Sequence, residues 1–270
     1  MRFVQAALAF AVVALQVAAT PVKRAASGDA GYVDPSLDGG SMLTIVPGSK
    51  TRIGEPINVI ISNQSDPWVL TDYGFTNYSR SLNFQSGDVL TVTYASNQRA
   101  NLGDGYGSRI QAGIQRYNDS IQEALNGGNH FRYWFQRGKN ANTGAVFIAA
   151  SVEKSKDENH MIVDNGYDLG RDQLVGNATA GTTTDKLGNE YQTTVEWNDS
   201  LFKKIKTSQI NHNISVDGRV AVLTVKVTKS VSTDGKGSVN TQSSSSRRAA
   251  MVPMTITLII GFVLALISLV

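Results

Sequence analysis

"GGNHFRYWFQRGKNANTGAVFIAAS", residues 127–151, is the stretch from which the fold is read. A double glycine opens it, an aromatic run follows, and a polar turn leads into a run of small and branched apolar residues. Side chains on a strand alternate between two faces. Phe131, Tyr133 and Phe135 therefore point one way, and His130, Arg132 and Trp134 the other. The turn "GKNANTG" is short and rich in glycine and asparagine, so the two apolar runs pair as a hairpin. The second, "AVFIAAS", is apolar enough to be a buried strand.

Working outward, "EPINVIIS" (55–62), "DVLTVTY" (88–94), "HMIVD" (160–164), "YQTTVEW" (191–197) and "RVAVLTVKV" (219–227) read as further strands. Three helices are predicted. One is short, with Asp66 as N-cap, Pro67 in its first turn and Gly74 as its left-handed stop. The longest runs from Ser108 to Asn126, because Ile110, Ile114, Tyr117, Ile121 and Leu125 share a face at helical spacing and Gly127–Gly128 close it. The third begins at an Asp168 cap and stops at Gly176. Helices interspersed with hairpin-linked strands predict an α+β single domain on a mainly antiparallel or mixed sheet with two to three helices, followed by a C-terminal hydrophobic helix.

The ends point to a compartment. Residues 1–19 read as a signal peptide cut after Ala19, with a dibasic pro-segment site ending at Arg24. Residues 251–270 contain no charge, and twenty residues at about 1.5 Å each reach roughly 30 Å, a bilayer core. Ahead of them lies a Ser/Gly-rich stalk, 229–250. Small residues, a polar spacer and an apolar tail predict a GPI signal, with Asn240 or Ser243 as attachment residue. The alternative is a single-pass membrane helix. Arg247 and Arg248 precede the tail, on the lumenal side, where the positive-inside rule disfavours them for a permanent span. Residues 25–54 read as a loosely ordered leading segment, and 55–228 as the ectodomain.

Composition narrows the function. Removing Arg2, Lys23 and Arg24 takes the formal charge from +3 to 0, and losing Arg247 and Arg248 takes it to −2. A near-neutral mature chain carries no electrostatic footprint for nucleic acid. With no cysteine, disulfide staples, thiol catalysis and zinc–thiolate sites are excluded. No Gly-x-Ser-x-Gly occurs, and "NLGDGYGS" (101–108) lacks the Lys-Ser/Thr of a phosphate loop, reading as a tight turn. Six Asn-x-Ser/Thr triplets, at Asn63, Asn77, Asn118, Asn177, Asn198 and Asn213, are N-glycosylation candidates.

His130, Arg132, His160, Asp168, Arg171 and Asp172 form the remaining chemical constellation. Imidazoles with carboxylates suit a divalent metal of the zinc or manganese kind. Arginines with histidines suit a phosphate or carboxylate. The same residues have structural uses: Asp168 as a helix cap, Arg171 and Asp172 as a surface pair, His130 and Arg132 lining the wetter face of a sheet. His212, beside Asn213, reads as a solvent-facing loop residue.

The order of "NVII", a helix ending "GF", "NHFRYWF", "GAVFIAAS", "HMIVD", "YDLGRDQLV" and "DGRVAVLTV", over residues 55–228, resembles the LssY-like C-terminal domain. That family shows a His-x-Arg-aromatic strand, a Gly/Ala-rich strand, a His before an Asp, and an Arg-Asp pair. The resemblance carries His130, Arg132, His160, Asp168, Arg171 and Asp172 onto its motif positions. It implies a fold and no reaction, since the family has no established activity. The lipid-phosphate phosphatase domains that adjoin it in bacteria are not in this sequence, which looks more like a secreted fungal version. The expectation is a membrane-tethered glycoprotein of the secretory pathway, on the extracellular face of the plasma membrane or in the cell wall, with the membrane, through its tail or a GPI lipid, and cell-wall glycans as partners. A metal- or phosphate-dependent hydrolase or ligand site on the six polar residues is the alternative.

Overall fold

The computed structural model describes residues 30–46, 48, 53–84, 98–110, 113–116 and 127–231. The expected signal peptide and pro-segment site, "DVLTVTY", Asn118, the expected stalk beyond Val231, the attachment candidates Asn240 and Ser243, and the apolar tail all lie outside these residues. Among the described residues no helix is long and apolar enough to cross a membrane.

The hairpin forms as read. Strand β6 (Gly128–Arg137) pairs antiparallel with β7 (Asn142–Glu153), Tyr133 opposite Ile148, with a register shift between Phe135 and Arg137. Gln136 sits at that irregularity, fully buried, and acts as a strand surrogate: its Oε1 accepts from Val33 N–H at 3.0 Å and its Nε2 donates to Val33 O at 2.9 Å. Around this hairpin a seven-stranded sheet assembles in the order β5 (Gly113–Arg116), β6, β7, β2 (Val59–Ile61), β10 (Val220–Lys229), β9 (Glu190–Asn198) and β8 (Thr183–Thr184). The β2–β10 pair is parallel and the other neighbours antiparallel. A second, antiparallel sheet joins β1 (Thr44–Ile45), β3 (Arg99–Asn101) and β4 (Ser108–Ile110). Among the described residues two α-helices join these sheets in an α+β domain: α1 (Asp72–Ser81) and α2 (Gly166–Thr179).

In the middle of the large sheet both faces are buried, so β7, β2 and the first half of β10 are continuously apolar, whereas β9 toward the edge alternates. On one face Phe131, Tyr133, Phe135, Val146, Ile148, Leu223 and Val225 pack under Phe75 and Tyr78 of α1 and Leu174, Val175 and Ala178 of α2. On the other, Trp134, Phe147, Ala149, Ile60 and Val222 pack against Tyr32, Met42, Ala100, Leu102 and Phe202. Part of the leading segment is therefore core: Tyr32, Met42 and Leu43 are 7%, 2% and 6% exposed.

Four local readings are corrected. The stretch read as one helix from Ser108 to Asn126 supplies two strands, β4 and β5, in its described parts. Pairing of β5 with the free edge of β6 satisfies a row of backbone groups, and it puts Ile114 opposite Arg132. Second, α1 is capped by Thr71, whose Oγ1 accepts from Gly74 N–H at 2.9 Å, not by Asp66. Gly74 lies in its first turn, where a Cβ would meet Trp68 O at 1.8 Å. Third, α2 runs through Gly176 to Thr179, with Asp168 in its first turn and a left-handed Asn165 as N-cap. Fourth, "HMIVD" is no strand: Asn159 and His160 are both left-handed (φ 58° and 51°), which breaks the extended run and leaves only a bridge from Ile162 to Glu153.

Candidate functional site

The six sequence candidates separate into two clusters. His130, Arg132 and His160 gather on Glu153. In the β6–β7 register His130 stands opposite Ser151, which puts Glu153, two residues on and on the same face, within reach. His130 Nε2 lies 3.1 Å from Glu153 Oε1 and 3.4 Å from Ser151 Oγ. His160, reaching in from its loop, places Nδ1 3.8 Å from Glu153 Oε2. Arg132 pairs with Glu55 at 2.7 Å and lies 3.9 Å from Glu153. Glu55 is itself held where the chain enters β2, its N–H donating to Thr44 Oγ1 at 2.9 Å. In exposure His130 is 0%, Glu153 and Glu55 8%, while the His160 side chain is 38%. This face is not the wetter side of a sheet, and only His160 stands at the surface end.

Tyr167, buried at the start of α2, lies near enough to the cluster to feel its charges. Burial pushes its phenol well above the ordinary range, Glu55 and Glu153 push the same way, and Arg132 opposes them. Its hydroxyl donates to Asn211 O at 3.3 Å. Asn58 secures the junction: its Nδ2 donates to Ala150 O and Tyr167 O, both at 2.9 Å, and its Oδ1 accepts from Ala150 N–H at 3.0 Å. One side chain thus replaces the backbone pairing that β2 would offer β7 there.

The second cluster is built around Arg171, whose side chain is 1% exposed. Its Nε donates to Asp172 at 2.8 Å. Its two terminal nitrogens donate to Asp217 at 2.6 and 2.8 Å as a fork, and one of them also reaches Asp168 at 3.3 Å and Arg219 O at 2.9 Å. Asp168 accepts from Asp217 N–H at 2.9 Å. The guanidinium groups of Arg171 and Arg219 lie over the Trp197 ring at 5.1 and 4.0 Å. These contacts fasten α2 to the β9–β10 end of the sheet. Asp172 pairs with Arg171, but not as a surface pair, because the arginine is buried; Asp168 is no cap, Asn165 taking that position.

In both clusters the arginine is turned toward carboxylates. A guanidinium binds phosphate through a free fork of N–H donors. Arg171 has spent its fork on carboxylates, and Arg132 faces two. Among the described residues no group of three or more His, Asp or Glu is placed to hold a metal ion. Glu55, Glu153, Tyr167 and Asp217 belong to the clusters and were missed in sequence. Glu153 alone carried a signal: extending the β7 alternation two residues past Ser151 puts it on the His130 face.

The other motifs have local roles. In "NLGDGYGS" three left-handed glycines wrap the turn around buried Asp104, which accepts from Arg109 and from the Tyr106 and Arg137 N–H groups. His212 is exposed, as read. Of the described glycosylation triplets, Asn77 is buried, Asn63, Asn177 and Asn198 are half-buried, and Asn213 is exposed. No protein-family model, curated protein or solved structure matches the chain.

Proposed function

We propose that the chain is a secreted α+β glycoprotein tethered to the extracellular face of the plasma membrane or held in the cell wall, and that its domain serves as a binding or wall-associated module. One observation favours binding over phosphate chemistry: Arg171, the deepest cation among the candidate residues, is fully engaged by Asp168, Asp172 and Asp217. The signal-like start, the polar stalk and the uncharged tail support the tether. The resemblance of the chain's motif order to the LssY-like C-terminal domain supports that fold neighbourhood and assigns no reaction.

The test is release from membranes of cells producing the full chain. Treatment with a phosphatidylinositol-specific phospholipase should free the protein, with its last residue near Asn240 or Ser243. Retention with residues 251–270 intact would replace the lipid tether by a single-pass helix. A product in the cytosol with residues 1–19 uncut would overturn the secretory reading itself.

A further inference from the structure

The five described Asn-x-Ser/Thr triplets differ in their surroundings, and the difference selects a modification site. We infer that Asn213 carries an N-linked glycan on the folded domain and that Asn77 carries none. The inference rests on the secretory reading above.

Asn213 and His212 are consecutive left-handed residues, φ 54° and 61°. Asparagine accepts this conformation better than other branched or bulky side chains. The reversal lies between Ile210, 3% exposed, and Ile214, and both pack with Leu43, Ile162 and Tyr167. With the two isoleucines anchored inward, Asn213 and Ser215 of the Asn-Ile-Ser triplet stand exposed. A sugar there displaces no packed atom.

Asn77 is the opposite case. It lies on α1, 3% exposed, with Nδ2 donating to Tyr73 O at 3.0 Å. Ser79 of its triplet is 1% exposed and donates to Thr76 O at 2.9 Å. The same helix delivers Phe75 and Tyr78 into the core. Burying a hydrated oligosaccharide without partners is costly, so a chain glycosylated at Asn77 cannot seat α1. Asn177 and Asn198 are intermediate: their Nδ2 atoms donate to Leu82 O at 3.2 Å and the Tyr32 hydroxyl at 2.9 Å.

The transfer uses a lipid-diphosphate-linked oligosaccharide as donor. The Asn213 Nδ2 forms a bond to the anomeric carbon as that carbon's bond to the diphosphate oxygen breaks. The amide loses one proton, and the lipid diphosphate leaves with the bonding pair.

The experiment uses the full chain secreted by a eukaryotic host. Peptide:N-glycosidase in heavy-oxygen water converts each glycosylated Asn to labelled Asp, which peptide mass spectrometry reads site by site. Label at Asn213 and none at Asn77 is expected, and Ser215→Ala should erase the Asn213 label while leaving the protein secreted. An unlabelled Asn213, or a labelled Asn77 in secreted protein, would overturn the inference. The amino terminus separates the two ideas. If it begins after Ala19 or Arg24, a missing label sinks this inference alone. If residues 1–19 remain, the secretory reading fails with it.

Discussion

Asp168 and Asp217 share one arginine yet are shifted in opposite directions. Burial pushes the Asp168 carboxyl up, and Arg171 and the Asp217 N–H do not offset it. Burial also acts upward on Asp217, but the Arg171 fork and the Arg219 N–H outweigh it and hold that carboxyl below the ordinary value. The signs follow from linkage. A depressed carboxyl contributes stability that is present above its unfolded value, about 3.9, and is lost as the pH falls through the folded one. A raised carboxyl such as Asp168 contributes stability present below that unfolded value and lost as the pH rises through its folded one. Asp217→Asn removes the first component. Its unfolding free energy, measured by urea titration, should therefore decline less steeply than the wild type's below about pH 4. Parallel curves would show that the Arg171 fork does not control Asp217. None of this was legible in sequence: Arg171 and Asp172 announced themselves as neighbours, whereas Asp217 lies 46 residues away and is brought in only by the sheet.

At the scale of elements, two glycines of α2 make opposite demands. A Cβ on Gly170 would lie 2.5 Å from the Cα and N of Ser151, because the helix lies directly against the β7 backbone there. Nothing stands within 4 Å of a Cβ on Gly176, which lies exposed inside the helix with an ordinary backbone. Gly170→Ala should thus cost about 1–3 kcal/mol by overpacking. Gly176→Ala should add about 0.5–1 kcal/mol by restricting the unfolded chain. Urea midpoints of the two variants check both signs, and a stabilised Gly170→Ala would deny the close crossing. Gly176 misled the sequence reading for the same reason: a glycine near a helix end resembles a stop, and only the packing of Leu174, Val175 and Ala178 carries the helix past it. Where periodicity agreed with packing, as in β6, β7, β9 and β10, the elements were legible. Between Ser108 and Arg116 it did not agree. Ile110 is 40% exposed on β4 and Ile114 belongs to a different strand, so their helical spacing was coincidental, and the open edge of β6 decided the matter.

For the molecule as a whole, the least legible feature was the closing of the second sheet face. Glycine and serine make residues 25–54 look loosely held, and the anchors Tyr32, Met42 and Leu43 follow no period that betrays burial. Yet the Tyr32 ring meets Phe147 edge-on at 6.1 Å, its hydroxyl accepts from Asn198 Nδ2, and Gln136 holds Val33 on both sides. Ser41 N–H donates to Asn101 O, and β1 pairs with β3, so the small sheet depends on the same segment. Full burial of a large apolar side chain contributes about 1.5–3 kcal/mol. Three such anchors therefore supply about 5–9 kcal/mol, against a net stability of about 5–15 kcal/mol for a typical domain. A chain shortened to begin at Gly48 should lose cooperative unfolding and its near-ultraviolet aromatic signal, whereas one beginning at Ala30 should keep both. If the shorter chain unfolds cooperatively at the same urea concentration, Trp134 and Phe147 need no cover, and the domain begins near residue 55 as its composition suggests.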